Sequence, residues 1–297
     1  MLDRRLARKA KASHVIQLCF YSWLLEEAQG VAPRHMMCAA RGSWRGRGGI
    51  PQRSADELRS MRAAGRVVAE MHAAIRAATR PGVSTLALDA VAREVLAKRG
   101  AQSNFLGYHG FPAVTCASVN DEVIHGIPNE RPLEDGDLLS IDCGAIVDGW
   151  HGDAAFSMGV GTISVDAQRL IDTADAALAA AVAEMRPHRH LGDVGAVIEA
   201  VVAAGGYGNS HHYCGHGIGR AMHEDPDVEN RGRAGKGHEL LPGMVLAIEP
   251  MLLGGGSDDV IELDDGWTIV TADGSLAAHV EHTVLVGPSG PEILTKM

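Results

Sequence analysis

Four carboxylates and one imidazole are the residues through which this sequence can do chemistry: Asp142, Asp153, Glu249, Glu281 and His216. Leu139 and Ile141 alternate toward Asp142, and after a turn through Gly149 a return strand opens at Asp153. Side chains on one sheet face recur every second residue, so carboxylates on adjacent strands can point at a common centre. One acidic pair beside a turn is ordinarily solvated. This chain makes the same statement twice, because Leu133, Gly136, Leu139, Ile141 and Asp142 are answered by Leu240, Gly243, Leu246, Ile248 and Glu249. Asp153 lies six residues before Gly159, as Glu281 lies six before Gly287, and His109 precedes Asp142 by the same 33 residues that separate His216 from Glu249.

If the two halves pack face to face, the four carboxylates converge. At about 4 Å and an effective dielectric near 20, each like-charged pair costs on the order of 4 kcal/mol. The cluster therefore needs cations, or several of its members must be protonated. Two divalent ions balance four carboxylates, whereas one leaves a net charge of −2. His216 is the nitrogen donor that shares this register; His211 and His212 read as structural. An oxygen-rich set with one imidazole suits Mn, Fe(II), Co or Zn alike.

The elements that must position these residues are also duplicated. Ser54-Ala-Asp-Glu57 is a capping box ahead of a helical stripe through Leu58, Met61, Val68 and Ile75, which Pro81-Gly82 stops. A second helix is expected from about Thr85 to Arg99, ended by Gly100. The second half repeats the plan, with helices over Ser164 to Met185 and Val194 to Ala204. Only the turn between the paired carboxylates differs, eleven residues in the first half and thirty-two in the second, where the extra length carries a Gly- and Asp-rich hairpin with Trp267. The expected fold is α/β in the α+β sense: two pseudo-symmetric halves, each with helices packed on an antiparallel sheet, and the metal site between them.

Residues 1–53 differ from the rest. They hold ten Lys and Arg against three Asp and Glu, around an apolar run from Val15 to Leu25 that is too short to span a bilayer. They read as an extension, poorly ordered or outside the mature catalytic unit, and residues 54–297 as the catalytic domain. The net charge is −10 overall, so the body is acidic and has no basic patch of the kind nucleic-acid binding requires. Five cysteines without a Cys-x-x-Cys pair fit a reducing, cytoplasmic compartment.

The motifs YHGFP, SVNDEVIHGIP, SIDCGAIVDGWHGD, CGHGIGRAMHEDP, LAIEPM and VEHT resemble those of type I methionine aminopeptidases, metallopeptidases of the pita-bread fold, from about Ser54 to the C-terminus. The resemblance implies that Asp142, Asp153, His216, Glu249 and Glu281 hold two divalent ions, with Asp153 and Glu281 bridging them. It implies His125 and His223 as catalytic histidines that also touch substrate, His223 at the carbonyl oxygen and His125 near the scissile nitrogen or the second residue, and Glu249 as proton shuttle as well as ligand. Phe105, Tyr108, Phe111, Met222 and Trp267 would line the slot for an unbranched thioether side chain. Relatives carry Phe where Met222 stands, and some a small residue at Phe105, so the slot's dimensions depart from the family pattern. The implied activity is removal of the first methionine from nascent proteins whose second residue is small. Its partners would be polypeptide N-termini, near the ribosome, with no specific nucleic acid and no membrane, and the chain would act as a monomer. Two alternatives share the fold: an Xaa-Pro aminopeptidase or prolidase, which carries a larger folded N-terminal domain, and a non-catalytic binding protein, which loses ligands that this chain keeps.

Overall fold

A computed structural model describes residues 50–297 of the chain. Most of the basic extension, with its apolar run, lies outside the described residues. Its last four residues do not: Ile50 is buried among second-half core residues, the Arg53 N–H donates to the Gly243 carbonyl at 2.8 Å, and the Arg53 guanidinium pairs with Glu224.

Each half begins with a helix pair. Helix α1 (Ala55–Ala78) starts at the expected capping box, the Glu57 N–H donating to Ser54 Oγ and the Ser54 N–H donating to Glu57 Oε2. It ends at Thr79, before Pro81 is reached. Helix α2 (Thr85–Arg99) is capped by Ser84 and closed by Gly100 at φ +62°, the left-handed turn that glycine adopts without strain. Helix α3 (Val165–Glu184) and helix α4 (Leu191–Gly205) repeat the pair, with Ser164 and Gly206 in the corresponding capping places. Met61, Met71, Ile75 and Leu88 are fully buried in the first half, and Leu170, Met185 and Ile198 nearly or fully so in the second. Each such side chain contributes roughly 1.5–3 kcal/mol, so packing rather than helix propensity holds these helices in place.

The helices of each half cover an antiparallel sheet. In the first, Leu138–Val147 is flanked by Thr115–Val119 on one edge and by Trp150–Gly159 on the other. In the second, Val245–Ile248 lies between Gly215–Gly217 and His282–Gly287, with Glu224–Val228 and Gly290–Ile293 outside them. The extra length of the second half forms the hairpin of Val260–Glu262 with Ile269–Thr271, and the latter strand also pairs with Glu122–Ile124 of the first half.

The duplication is visible in the hydrogen bonds. Gly136 and Gly243 sit at φ +102° and +94°, a region open to glycine. Their N–H groups donate to the carbonyls of Val160 and Val286, each at 2.8 Å, and the N–H groups of Val160 and Val286 donate to Asp137 and Met244, again at 2.8 Å. Val286 is thus the counterpart of Val160. That register is two residues away from the one counted from Gly159 and Gly287. Seven residues back from each valine stand Asp153 and His279, so the positional twin of Asp153 is His279, and the twin of Ala155 is Glu281.

The seam between the halves obeys the same pseudo-symmetry. Ala155 and Glu281 exchange backbone hydrogen bonds of 3.3 and 2.9 Å. On one side the Thr283 hydroxyl bonds both the N–H (2.9 Å) and the carbonyl (2.8 Å) of Asp153. On the other, the Ser157 hydroxyl does the same for His279, at 3.1 and 2.9 Å. The register of His109 with His216 does not survive folding. His216 pairs with Ala247, the place that Ser118 takes opposite Ser140, while His109 is exposed in the turn Tyr108–Gly110.

Candidate metal centre and pocket

Each expected ligand is delivered by one of these strands. Asp142 and Asp153 stand diagonally on one face of the first hairpin, Asp142 opposite Ala155 and Asp153 opposite Gly144. Glu249 and Glu281 lie immediately past the last pair of the second hairpin, His282 with Ile248. The reciprocal bonds at Ala155 and Glu281 then set the two hairpins side by side. One ligand atom each of Asp153, His216 and Glu281 falls within 4.8 Å of the others.

The electrostatics of this cluster favour positive charge. Asp153 and Glu281 are buried, Asp142 and Glu249 half-buried. Asp142 Oδ1, Asp153 Oδ1 and Glu281 Oε1 are buried without a hydrogen-bond partner. Burial pushes the Asp153 carboxyl up to about 8. Burial first, and then the charges of the neighbouring carboxylates, hold Asp142 and Glu281 well above the usual carboxylate range. His216 Nδ1 lies 2.9 Å from the Gly217 carbonyl, which can only accept, so Nδ1 carries the proton and Nε2 presents a lone pair. That lone pair faces Glu249 Oε1 at 3.6 Å, and burial lowers the His216 pKa to about 4. Two acceptors facing each other beside orphaned carboxylate oxygens suit divalent cations, and the donor set fits them.

The two expected catalytic histidines sit at the edge of this cluster. The His223 ring centroid is 4.3 Å from that of His216, and its Nδ1 is 2.8 Å from the Tyr108 hydroxyl. Desolvation, followed by the neighbouring imidazoles of His216 and His125, lowers the His223 pKa, and desolvation raises that of Tyr108. A phenol donating to Nδ1 leaves the ring proton of His223 on Nε2. His125 occupies the left-handed region at φ +60°, held there by the flanking Gly126, whose N–H donates to Ser118 Oγ (3.1 Å) and whose carbonyl accepts from Ala117 (2.8 Å). Its ring lies 5.9 Å from Tyr213 and 6.3 Å from Trp267.

All five expected pocket residues come together. Phe105, Phe111 and Met222 are buried in one group, with Tyr108 and Trp267 packed against it. Phe111 stands edge-on to Phe105 at 6.4 Å and to Trp267 at 5.0 Å. Ala113, Cys116 and Ile127 also belong to this group and were not anticipated. Cys116 is cross-strand to Asp142, so the apolar slot abuts the carboxylate cluster. Cys116 and Cys143 are buried free thiols.

One residue of the centre escaped the sequence reading. His279 is buried, its pKa lowered to about 3 chiefly by that burial, and its Nε2 lies 3.5 Å from Glu249 Oε2. The signal was present in period-two alternation, which puts residues 279 and 281 on one face of an extended segment.

The sequence profile of metallopeptidase family M24 matches residues 59–288. A methionine aminopeptidase 1 of Mycobacterium tuberculosis is 53% identical over 258 residues, covering 84% of this chain and 97% of that protein. Among solved structures, a methionine aminopeptidase from Thermotoga maritima aligns with a TM-score of 0.82 at 39% identity, over 84% of this chain and all of that one. A prolidase from Pyrococcus furiosus aligns at 0.68 and 21% identity, covering 65% of its own length, which is a likeness of fold.

Proposed function

The chain belongs to metallopeptidase family M24, and from that premise we propose that it is a methionine aminopeptidase: it hydrolyses the first peptide bond of polypeptides that begin with methionine followed by a small residue. The observation that carries the reading is adjacency. A cluster of four carboxylates and His216 borders, through the cross-strand pair of Cys116 and Asp142, a slot walled by Phe105, Phe111, Met222 and Trp267.

Asp142, Asp153, His216, Glu249 and Glu281 would hold two divalent ions, drawn from Co, Mn, Fe(II) or Zn. When bound, such ions supply Lewis-acid activation of water and of the peptide carbonyl. The protein's own groups do the rest. Glu249 takes the proton released by the nucleophile and passes it to the leaving amine. His223 donates its Nε2–H to the carbonyl oxygen as charge develops there, with Tyr108 holding the ring in the donating tautomer. His125 lies toward the scissile nitrogen and the second substrate residue. The aromatic slot takes an unbranched thioether and excludes side chains branched at Cβ. Crowding by two histidines beside the second residue favours Gly, Ala or Ser there.

No described helix is long and apolar enough to cross a membrane. A cytoplasmic site of action on nascent N-termini near the ribosome, as a monomer, is part of the proposal. The deciding experiment is release of free methionine from Met-Ala-Ser, set against Val-Ala-Ser and Met-Leu-Ser, by metal-loaded protein. Rapid cleavage of the first alone is expected. Turnover of Xaa-Pro peptides with Met-Ala-Ser left intact would move the protein to the prolidase branch of the fold.

A further inference from the structure

His279 takes, in the second half, the position that Asp153 takes in the first. Its backbone is clamped, the N–H donating to Ser140 Oγ (3.3 Å) and Ser157 Oγ (3.1 Å), while the Ser157 hydroxyl donates to its carbonyl at 2.9 Å. The side chain is 3% exposed, and its Nε2 is buried without a hydrogen bond. The nearest acidic group is the Glu249 carboxylate, whose two oxygens face two different imidazoles: Oε1 is 3.6 Å from His216 Nε2 and Oε2 is 3.5 Å from His279 Nε2.

These two contacts differ in kind. His216 has its proton committed to the Gly217 carbonyl, so on its side Glu249 Oε1 meets a lone pair, a pairing that a shared cation would satisfy. His279 brings Nε2 to the opposite oxygen, where an N–H is the partner a carboxylate takes. We infer that His279 is a positioning residue of the metal centre, its Nε2–H holding Glu249 Oε2 so that Oε1 is presented to the cation side, from the place that the first half gives to Asp153. The inference rests on the proposed metal centre. It assigns the two pseudo-symmetric positions unlike tasks: Asp153 binds, while His279 orients a binder. An oriented carboxylate also explains how Glu249 serves both as ligand and as proton acceptor, since one oxygen is committed and the other stays directed at the reacting groups.

The test compares wild type with His279→Ala and His279→Gln, using Mn²⁺ and Co²⁺ as probes in titration calorimetry and Co²⁺ electronic absorption. Loss of an orienting partner typically weakens metal binding by about ten- to a hundredfold, and that loss is expected for His279→Ala with a changed Co²⁺ spectrum. His279→Gln, which retains a donor of similar reach, should recover most of the affinity. Imidazole ¹⁵N NMR of the wild type, free and zinc-loaded, should show a protonated Nε2 that zinc does not deprotonate. Unchanged affinity and spectrum in His279→Ala, or a zinc-induced coordination shift at Nε2, would overturn the assignment. If His279→Ala fails to fold, His279→Gln and the NMR measurement decide. Failure of the wild type to bind Mn²⁺ or Co²⁺ would instead strike the metal-centre reading, while the NMR still reports whether Nε2 is protonated.

Discussion

Replacing Asp153 by Asn separates the protein's need for a proton from its need for a cation. Burial raises the Asp153 carboxyl from 3.8 to about 8. At pH 7 a carboxyl raised that far is mostly protonated in the metal-free protein. Asn has the shape and polarity of a protonated carboxyl at every pH, whereas at pH 7 wild type must take up a proton to fold, so Asp153→Asn should raise the metal-free protein's Tm at pH 7 above that of wild type and match it only at about pH 4. The metal-loaded state is another matter. Wild type must release the Asp153 proton to bind, which costs about 1.4 kcal/mol per pH unit below 8 and makes affinity rise tenfold per unit for that one proton. Asn cannot supply the charge at all. Loss of a residue that only orients a ligand costs about ten- to a hundredfold, so loss of the ligand should exceed the upper figure. Calorimetric titration with Mn²⁺ at pH 6, 7 and 8 reads the affinity and the number of protons released, and scanning calorimetry reads the metal-free Tm. The reasoning fails if Asp153→Asn binds two equivalents as tightly as wild type, or if the variant is already destabilised without metal at pH 7.

His223→Ala should keep its metal content while turnover falls by on the order of a hundredfold or more, and Tyr108→Phe should give a smaller fall in kcat with metal retained, both read by metal analysis and steady-state kinetics. Without metal, the stability owed to protonated Asp153 is full below 3.8 and is lost as the pH climbs through about 8, so the Tm gap between Mn²⁺-loaded and EDTA-treated protein should widen from pH 5.5 to pH 8.5; a constant gap would contradict it. His72 is buried with its pKa lowered to about 3, chiefly by desolvation, and its Nε2–H donates to the Ala154 carbonyl, so its contribution is present above 6.5 and lost as pH falls toward 3; His72→Gln should flatten the acid limb of a denaturation profile by up to one proton. A chain beginning at Gly49 should match the full chain in Tm and activity, whereas one beginning at Ser54 loses Ile50 from the core and should unfold about 1.5–3 kcal/mol more easily in urea.

Much of this was legible because it is local. Ser54 with Glu57, Ser84, Gly100 and Ser164 fix helix ends through bonds that span a few residues, and all four helices lie close to where their caps put them. The five candidate ligands and five candidate pocket residues were readable from motifs; folding groups the pocket five and brings Asp153, His216 and Glu281 within 4.8 Å of one another. What escaped was pairing register. Counting from Gly159 and Gly287 makes Glu281 the twin of Asp153, but the ladder slides by two residues, and a slide of two keeps every side chain on its face. Hydrophobic alternation cannot detect it. His279 was overlooked for that reason, and His109 was over-read for the converse one, since equal spacing along a chain says nothing about whether a strand or a turn receives the residue. The Tyr108 bond to His223 spans 115 residues and leaves no local trace.

The seam at Ala155 and Glu281 also sets a schedule. Asp153 is tied to Thr283 across 130 residues of sequence. Such closures come late, because the entropy of a long loop is lost before the contact rewards it. A chain emerging during synthesis thus holds Asp142 and Asp153 long before Glu249 and Glu281 exist to meet them. Half a centre has the like charges and neither the opposing ligands nor the clamp of Thr283, so it has little hold on a cation. On the proposed ligand set, peptidase activity would await the docking of Glu281. With that ligand set the growing polypeptide would be unable to act on its neighbours, or on itself, until its own second half had closed over the first.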